Sequence, residues 1–232
     1  MRNEVEVDAK KVYKKKMFVR LITIVFLALL ILLSVIYLFL YIVYDGGRFT
    51  VSLDRNLSNR KNIYLSEDGD VKNKRLKLSA QTIDYMDNIS IKWLPADVEK
   101  GTGSHNGQNY IAYSFYLVNS GHETVNYWYE LYVDDTIKRV DDAIRVMIFQ
   151  NGKQTVYAKR NRTTNKPEPN TVAFRSKSVA VLKQRKKFKP KTKDRYTIVI
   201  WIEGDDPECK NDLLGGEIKM HMDITEEVIV SE

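Results

Sequence analysis

The sequence predicts an all-β fold class, an antiparallel β-sandwich or jelly roll, preceded by one N-terminal transmembrane helix. Three observations predict it. Leu21 to Val43 is an apolar run without a charge, Pro or Gly. Beyond residue 48, short alternating apolar stretches recur between turn signals, with little helical periodicity. Fourteen Tyr and eight Phe suit pleated, half-buried surfaces.

Eighteen of the twenty-three residues from Leu21 to Val43 are Leu, Ile, Val or Phe. Each contributes roughly −0.3 to −0.6 kcal/mol to insertion near a helix centre. As a helix the run is about 34 Å long, enough to cross a hydrocarbon core of about 30 Å. Lys10, Lys11, Lys14, Lys15, Lys16 and Arg20 precede it, and Asp45, Gly46 and Gly47 follow. The positive-inside rule therefore places 1–20 in the cytoplasm as a basic segment, 21–43 in the cell membrane as a single-pass anchor and 49–232 outside. Residues 44–48 are left as a short linker. Residues 1–44 hold seven Lys or Arg against three acidic residues, so they carry +4 of the formal +7. The basic balance is thus largely a topology signal and a weak argument for nucleic acid. Large residues at Tyr41, Ile42 and Val43, with Tyr44 or Asp45 at −3, leave no small-residue cleavage site, which favours an uncleaved signal anchor. Tyr37, Tyr41 and Tyr44 lie toward the outer end, where phenol rings suit the interface.

Cys209 is the single cysteine. A disulfide within the chain is excluded, so the external domain must be held by its core. The strands are expected in order. Phe49 to Leu53 alternates; 54–75 is polar and contains the turn signal Asp68-Gly69-Asp70. Leu76 to Ala80 and Ile89 to Leu94 are short runs, the second stopped by Pro95. Glu99 to Asn109 reads as a loop. Tyr110 to Asn119 is apolar and aromatic. Val125 to Val133 places Val125, Tyr127, Tyr129, Leu131 and Val133 on one face. Asp134 to Asp142 suggests a short turn or helix. Ala143 to Phe149 and Thr155 to Ala158 flank Asn151-Gly152, the strongest short hairpin signal. Residues 159–172 form a loop, and Ser178 to Leu182, Tyr196 to Ile202 and Glu217 to Ile224 complete the set.

The stretch from Tyr196 through Trp201-Ile-Glu-Gly-Asp-Asp-Pro-Glu-Cys209, followed by Gly215-Gly216-Glu-Ile-Lys-Met220, resembles the closing region of the TasA/camelysin-like proteins of Gram-positive bacteria. Tyr110 to Gly121 and Asp142 to Lys153 fit the same pattern, so the resemblance covers about half of the external part. It implies a surface β-sandwich, with some relatives building biofilm fibres by donating a freed first strand. Here no release site is evident, and Phe49 begins only six residues beyond Val43, which gives a tethered strand little reach for donation. The resemblance therefore bears on fold and location more than on fibre assembly.

Two motifs are candidate sites. Glu203, Asp205, Asp206 and Glu208 crowd four carboxylates around one turn. That is oxygen chemistry for Ca²⁺, although the calcium-loop spacing is absent, and a solvated turn closing a buried strand is the plainer alternative. No other cofactor is implied. Lys183, Arg185, Lys186, Lys187, Lys189, Lys191, Lys193 and Arg195 form a basic stretch, expected as an exposed hairpin or loop. It would suit anionic wall polymer or lipid headgroups, or simply protect a sheet edge. Phe188 and Pro190 make a poor stacking platform, so sequence-specific nucleic-acid binding is not expected.

His105, His122 and His221 form no H-E-x-x-H pair, which argues against carrying a peptidase activity across from the resembled family. No Cys–His pair is visible around Cys209. Trp93, Trp128 and Trp201 fit core or half-buried sheet positions better than a sugar platform. The expectation is a non-enzymatic, membrane-anchored surface protein with a structural, adhesive or matrix-related role, partnered by the bilayer and by other surface or matrix proteins. The alternative is a recognition module for anionic wall polymer or carbohydrate. A metal-dependent hydrolase ranks below both.

Overall fold

The computed structural model describes residues 2–43, 49–83 and 85–227. The chain divides into two units, Met1–Gly46 and Gly47–Glu232. The first is α1, Arg2–Val43. It continues the basic flank and the apolar run as one helix. Lys11–Leu40 is the segment, among the described residues, long and apolar enough to cross a membrane. Side chains over 11–40 are exposed on every face, whereas an all-apolar helix in a soluble protein would be buried. The 44–48 linker lies outside the described residues.

The second unit is mostly strands, in two mixed sheets. In chain order these are β1 (Thr50–Leu53), β2 (Ile63–Ser66), β3 (Lys77–Ser79), β4 (Gly103–Ser104), β5 (Ile111–Asn119), β6 (Val125–Ile137), β7 (Ile144–Gln150), β8 (Lys153–Ala158), β9 (Val172–Ala173), β10 (Val179–Phe188), β11 (Thr192–Ile202) and β12 (Glu217–Glu226). One sheet has the order β10-β6-β12-β1-β3; the other has β2-β5-β11-β7-β8-β9, with β4 also on β5. The expected antiparallel pattern needs correcting at two places: β1 runs parallel to β12, and β9 runs parallel to β8. A parallel pair needs a long crossover. Nearly the whole domain supplies it for β1 and β12, and the 159–171 loop supplies it for β8 and β9. β1 thus lies between β12 and β3 of its own chain.

β6 shows how patterning sets the core. Its burial alternates, with Val125, Tyr127, Tyr129, Leu131 and Val133 inward, as the period-two pattern requires. One buried cluster takes these residues together with Tyr113, Phe115 and Leu117 of β5, Tyr196, Ile198 and Ile200 of β11 and Met220, Met222 and Ile224 of β12. Tyr129 of one sheet meets Tyr196 of the other edge-on with centroids 5.4 Å apart, and within its own sheet Tyr196 stacks on its cross-strand neighbour Phe115 at the same spacing. β11 is buried on both sides. Its other face carries Val199 and Trp201, packed with Ala112, Met147, Ile89 and Val98. That explains why residues 197–201 show no polar alternation. The hairpin joining β7 and β8 turns at Asn151 (φ 52°) and Gly152 (φ 80°), the double positive φ of a type I′ turn.

Several expectations are corrected. The polar 54–75 segment contains α2, Arg55–Lys61, besides β2; the Asp54 carboxylate accepts the Asn56 N–H and Asn62 closes the helix in the left-handed region. Residues 89–94 form no strand but a 3₁₀ turn over Ile91–Trp93. Ile89 makes a single parallel bridge to the end of β11, through Ile89 N to the Ile202 carbonyl at 2.9 Å and Gly204 N to the Ile89 carbonyl at 3.0 Å. Beyond it Ser90 Oγ accepts from Lys92 N and the Glu203 carboxylate takes the Ile91 N–H at 3.2 Å, so side chains take over where the pairing stops. β6 runs on to Ile137, which shortens the expected 134–142 turn to a 3₁₀ turn over Val140–Asp142.

Candidate functional site

The acidic turn after β11 is split by the fold. Glu203 is buried, and its carboxylate is taken by three N–H donors: Trp201 Nε1 at 3.1 Å, Ile91 N at 3.2 Å and Asp205 N at 3.3 Å. It acts as a latch for the 89–94 turn over β11. Asp205 is exposed and accepts the Ser90 hydroxyl at 2.8 Å. Asp206 points the other way: Oδ2 pairs with the Arg145 guanidinium of β7, and Oδ1 accepts Glu208 N at 2.7 Å. The four carboxylates expected to converge therefore do not share one centre.

Two of them meet a third that the sequence reading missed. Oxygens of Glu168, Asp206 and Glu208 all lie within 4.8 Å of one another, the group among the described residues close enough to share one ion. Glu168 comes from the 159–171 loop, where Thr171 N and Oγ1 both donate to its carbonyl, at 3.1 and 2.9 Å. Its side chain is 5 % exposed, and the Arg145 guanidinium stands 3.9 Å from Oε2. Oε1 of Glu168 has no hydrogen-bond partner, nor has Oε2 of Glu208, and both atoms are buried. The other Glu208 oxygen accepts Arg162 N at 2.6 Å, tying the 159–171 loop to the turn. In sequence, Glu168 sits between Pro167 and Pro169 in a polar loop, and only the adjacent prolines hint at a fixed backbone.

The basic stretch is not a hairpin, which corrects that expectation. β10 pairs with β6 in one sheet, while β11 pairs with β5 and β7 in the other, so the connection over 189–191 passes between sheets. Its eight cations have different environments. Arg185 is bound to the buried Asp194 through Nε at 2.9 Å. Arg195 donates to the Gly101 carbonyl at 2.6 Å and lies over the Tyr116 ring with Lys193. Lys183 lies over Tyr157, and Lys191 donates to the Ser120 carbonyl at 2.5 Å. Lys186, Lys187 and Lys189 are exposed and make no ion pair among the described residues.

Asp194 anchors a buried polar cluster between the sheets. Oδ2 accepts Tyr127 OH at 2.7 Å and Oδ1 accepts Asn151 Nδ2 at 2.7 Å. Tyr127 and Tyr196 hydroxyls lie 2.7 Å apart, and Gln150 donates to Tyr196 at 2.8 Å. Burial pushes both phenols well above their ordinary pKa, and neighbouring charge on Asp194 adds to the shift.

The remaining candidates are dispersed. His105 contacts the carbonyls of Gly103 and Val98, both at 2.9 Å. His221 stacks on Tyr132 between Asp134 and Asp223, and His122 is exposed. Cys209 is half-buried, and burial pushes its thiol upward. Trp201 is fully buried, Trp128 half-buried and Trp93 74 % exposed.

No protein-family model matches the chain, and no curated protein does. Among solved structures, a β-glucosidase from Kluyveromyces marxianus in complex with glucose is similar at 11% identity over 55% of this chain, with a TM-score of 0.27. The similar region spans 13% of that enzyme's length.

Proposed function

We propose that this is a single-pass cell-surface protein whose β domain forms a sandwich outside the membrane, with a structural, adhesive or matrix-related role. The observation that carries the reading is the pairing, in one chain, of an apolar helix exposed on every face with a β domain that has its own aromatic core. An exposed surface of that kind is stable only in lipid. The basic residues before the run orient the N-terminus to the cytoplasm. Rings from both sheets share one core, as the two inner faces of a sandwich do. β1 is already flanked on both sides, so contact with other surface proteins would fall to the outer strands and loops instead of a donated first strand. The resemblance of the 196–220 stretch to TasA/camelysin-like proteins agrees with this reading.

A second reading rests on Lys186 and Lys187 at the end of β10 and Lys189 just beyond it, three exposed cations. They would hold anionic wall polymer by charge. Pull-down of the full chain on purified wall polymer, repeated at rising salt, separates the readings. Binding that salt abolishes and that K186Q/K187Q/K189Q loses supports recognition. Concentration-dependent self-association indifferent to these substitutions supports the structural role, and a monomer that binds neither surface proteins nor polymer contradicts both.

A further inference from the structure

We propose that Glu168, Asp206 and Glu208 form a divalent-cation site, with Ca²⁺ the ion it fits. Among the described residues four buried side-chain polar atoms have no hydrogen-bond partner, and two of them are carboxylate oxygens of this one cluster. The other two, Tyr64 OH and Arg195 Nε, lie outside it. Glu168 is 94% buried (6% exposed) and contributes one of the two orphan oxygens. A buried carboxylate oxygen without a donor is costly, and an ion or ordered water is a partner that offsets the cost.

Charge points to the same class of ligand. The three carboxylates are met by one guanidinium, the buried Arg145, which pairs with Asp206 and stands 3.9 Å from Glu168. Two negative charges are left over, and one divalent cation balances them. Coordination habit selects among divalent cations. Ca²⁺ accepts about six to eight oxygens in flexible geometry, whereas Mg²⁺ demands a near-ideal octahedron and gives up its water reluctantly. One oxygen from each of the three carboxylates lies within 4.8 Å of the others, and a flexible oxygen shell suits three ligands drawn from a loop and a turn. All-oxygen ligation disfavours Zn²⁺ and Cu²⁺, which prefer nitrogen and sulfur. Water completes the shell.

The ion joins two segments that no strand pairing connects, the 159–171 loop and the turn after β11. Glu208 already spans them through Arg162 N, and the metal makes that link a second time through its other oxygen. With three protein carboxylates the site belongs with weak calcium modules, half-filled at roughly 10⁻⁴ to 10⁻³ M. Asp205 and Glu203 take no part, since their oxygens serve Ser90, Trp201 and Ile91.

The test is calorimetric titration of chelator-treated full chain in dodecyl maltoside micelles with CaCl₂, with MgCl₂ in parallel. One saturable Ca²⁺ per chain is expected, at least tenfold weaker in E168Q and in E208Q, unchanged in D205N, and weaker for Mg²⁺. Far-ultraviolet circular dichroism checks each variant. If E168Q does not fold, E208Q decides, because Glu208 is only partly buried. Absence of saturable Ca²⁺ uptake by the folded wild type overturns the proposal, as does equal uptake by wild type and E208Q.

Discussion

The domain contains two buried polar clusters, and their accounts differ. Around Asp194 both carboxylate oxygens are taken, by Tyr127, Arg185 and Asn151, and the neighbouring Tyr196 hydroxyl is met by Tyr127 and Gln150. Around Glu168 the donors run short: one guanidinium and two backbone N–H groups serve three carboxylates, and two oxygens stay without a partner. A fully satisfied network fixes the register between β6, β11 and the β7–β8 turn. A cluster short of donors is poorly suited to that task and well suited to an ion. Burial alone therefore does not separate a structural carboxylate from a binding one; the count of donors does.

The largest expected effect is at the satisfied cluster. Asp194→Ala strips three donors of their acceptor and should lower unfolding free energy by about 3 kcal/mol, the low end for a broken buried pair because Arg185 can rehydrate. Denaturant unfolding measures it. Asn151→Ala removes the bond to Asp194 and the acceptor for Arg195 N, and should cost about 1–2 kcal/mol. It also places a Cβ-bearing residue without the Asn tolerance at φ 52°.

The same cluster sets an alkaline limit. The folded pKa values of Tyr127 and Tyr196 are raised above the ordinary 10.0, so folding favours the neutral phenols. Their contribution is complete below that value and falls as pH rises beyond it. Phenolate absorbance from these residues should appear only together with unfolding. Ionisation of both in a domain that keeps its near-ultraviolet dichroism would break the contrast.

At the other cluster the sign reverses. In chelator, Glu168→Gln removes a buried negative charge that lacks donors, and the domain should unfold at the same midpoint or above. A loss comparable to Asp194→Ala would mean that Glu168 is a structural carboxylate like the other. The smallest effect belongs to K186Q/K187Q/K189Q. These exposed residues should change stability by less than about 0.5 kcal/mol, so any lost polymer binding reads on charge alone.

Legibility in the sequence followed the range of the interactions. The 125–133 alternation names the buried face of β6 because period two is local, and Asn151-Gly152 marks the β7–β8 turn because the φ values are set by those two residues. The 89–94 run misleads for the opposite reason. Its apolar alternation is that of a strand, yet Ile91 is claimed by a carboxylate more than a hundred residues away. α2 had a readable start at Asp54 and stop at Asn62 that the polar character of 54–75 concealed. The acidic turn was visible as a composition, but nothing in its spacing separates Glu203, spent on N–H donors, from Asp206 and Glu208. Glu168 joins them only through the crossover from β8 to β9.

The central claim, an anchored chain with its β domain outside, is tested most directly by site-specific labelling of intact cells. In a Cys209→Ser background, Lys189→Cys and Asp8→Cys are each exposed to a membrane-impermeant maleimide. Labelling at 189 in intact cells, at 8 only after lysis, and retention of the full-length chain in carbonate-washed membranes are the predicted results. Labelling at 8 with protection at 189, or recovery of the β domain from the culture medium with its N-terminus near Asp45, would contradict the account.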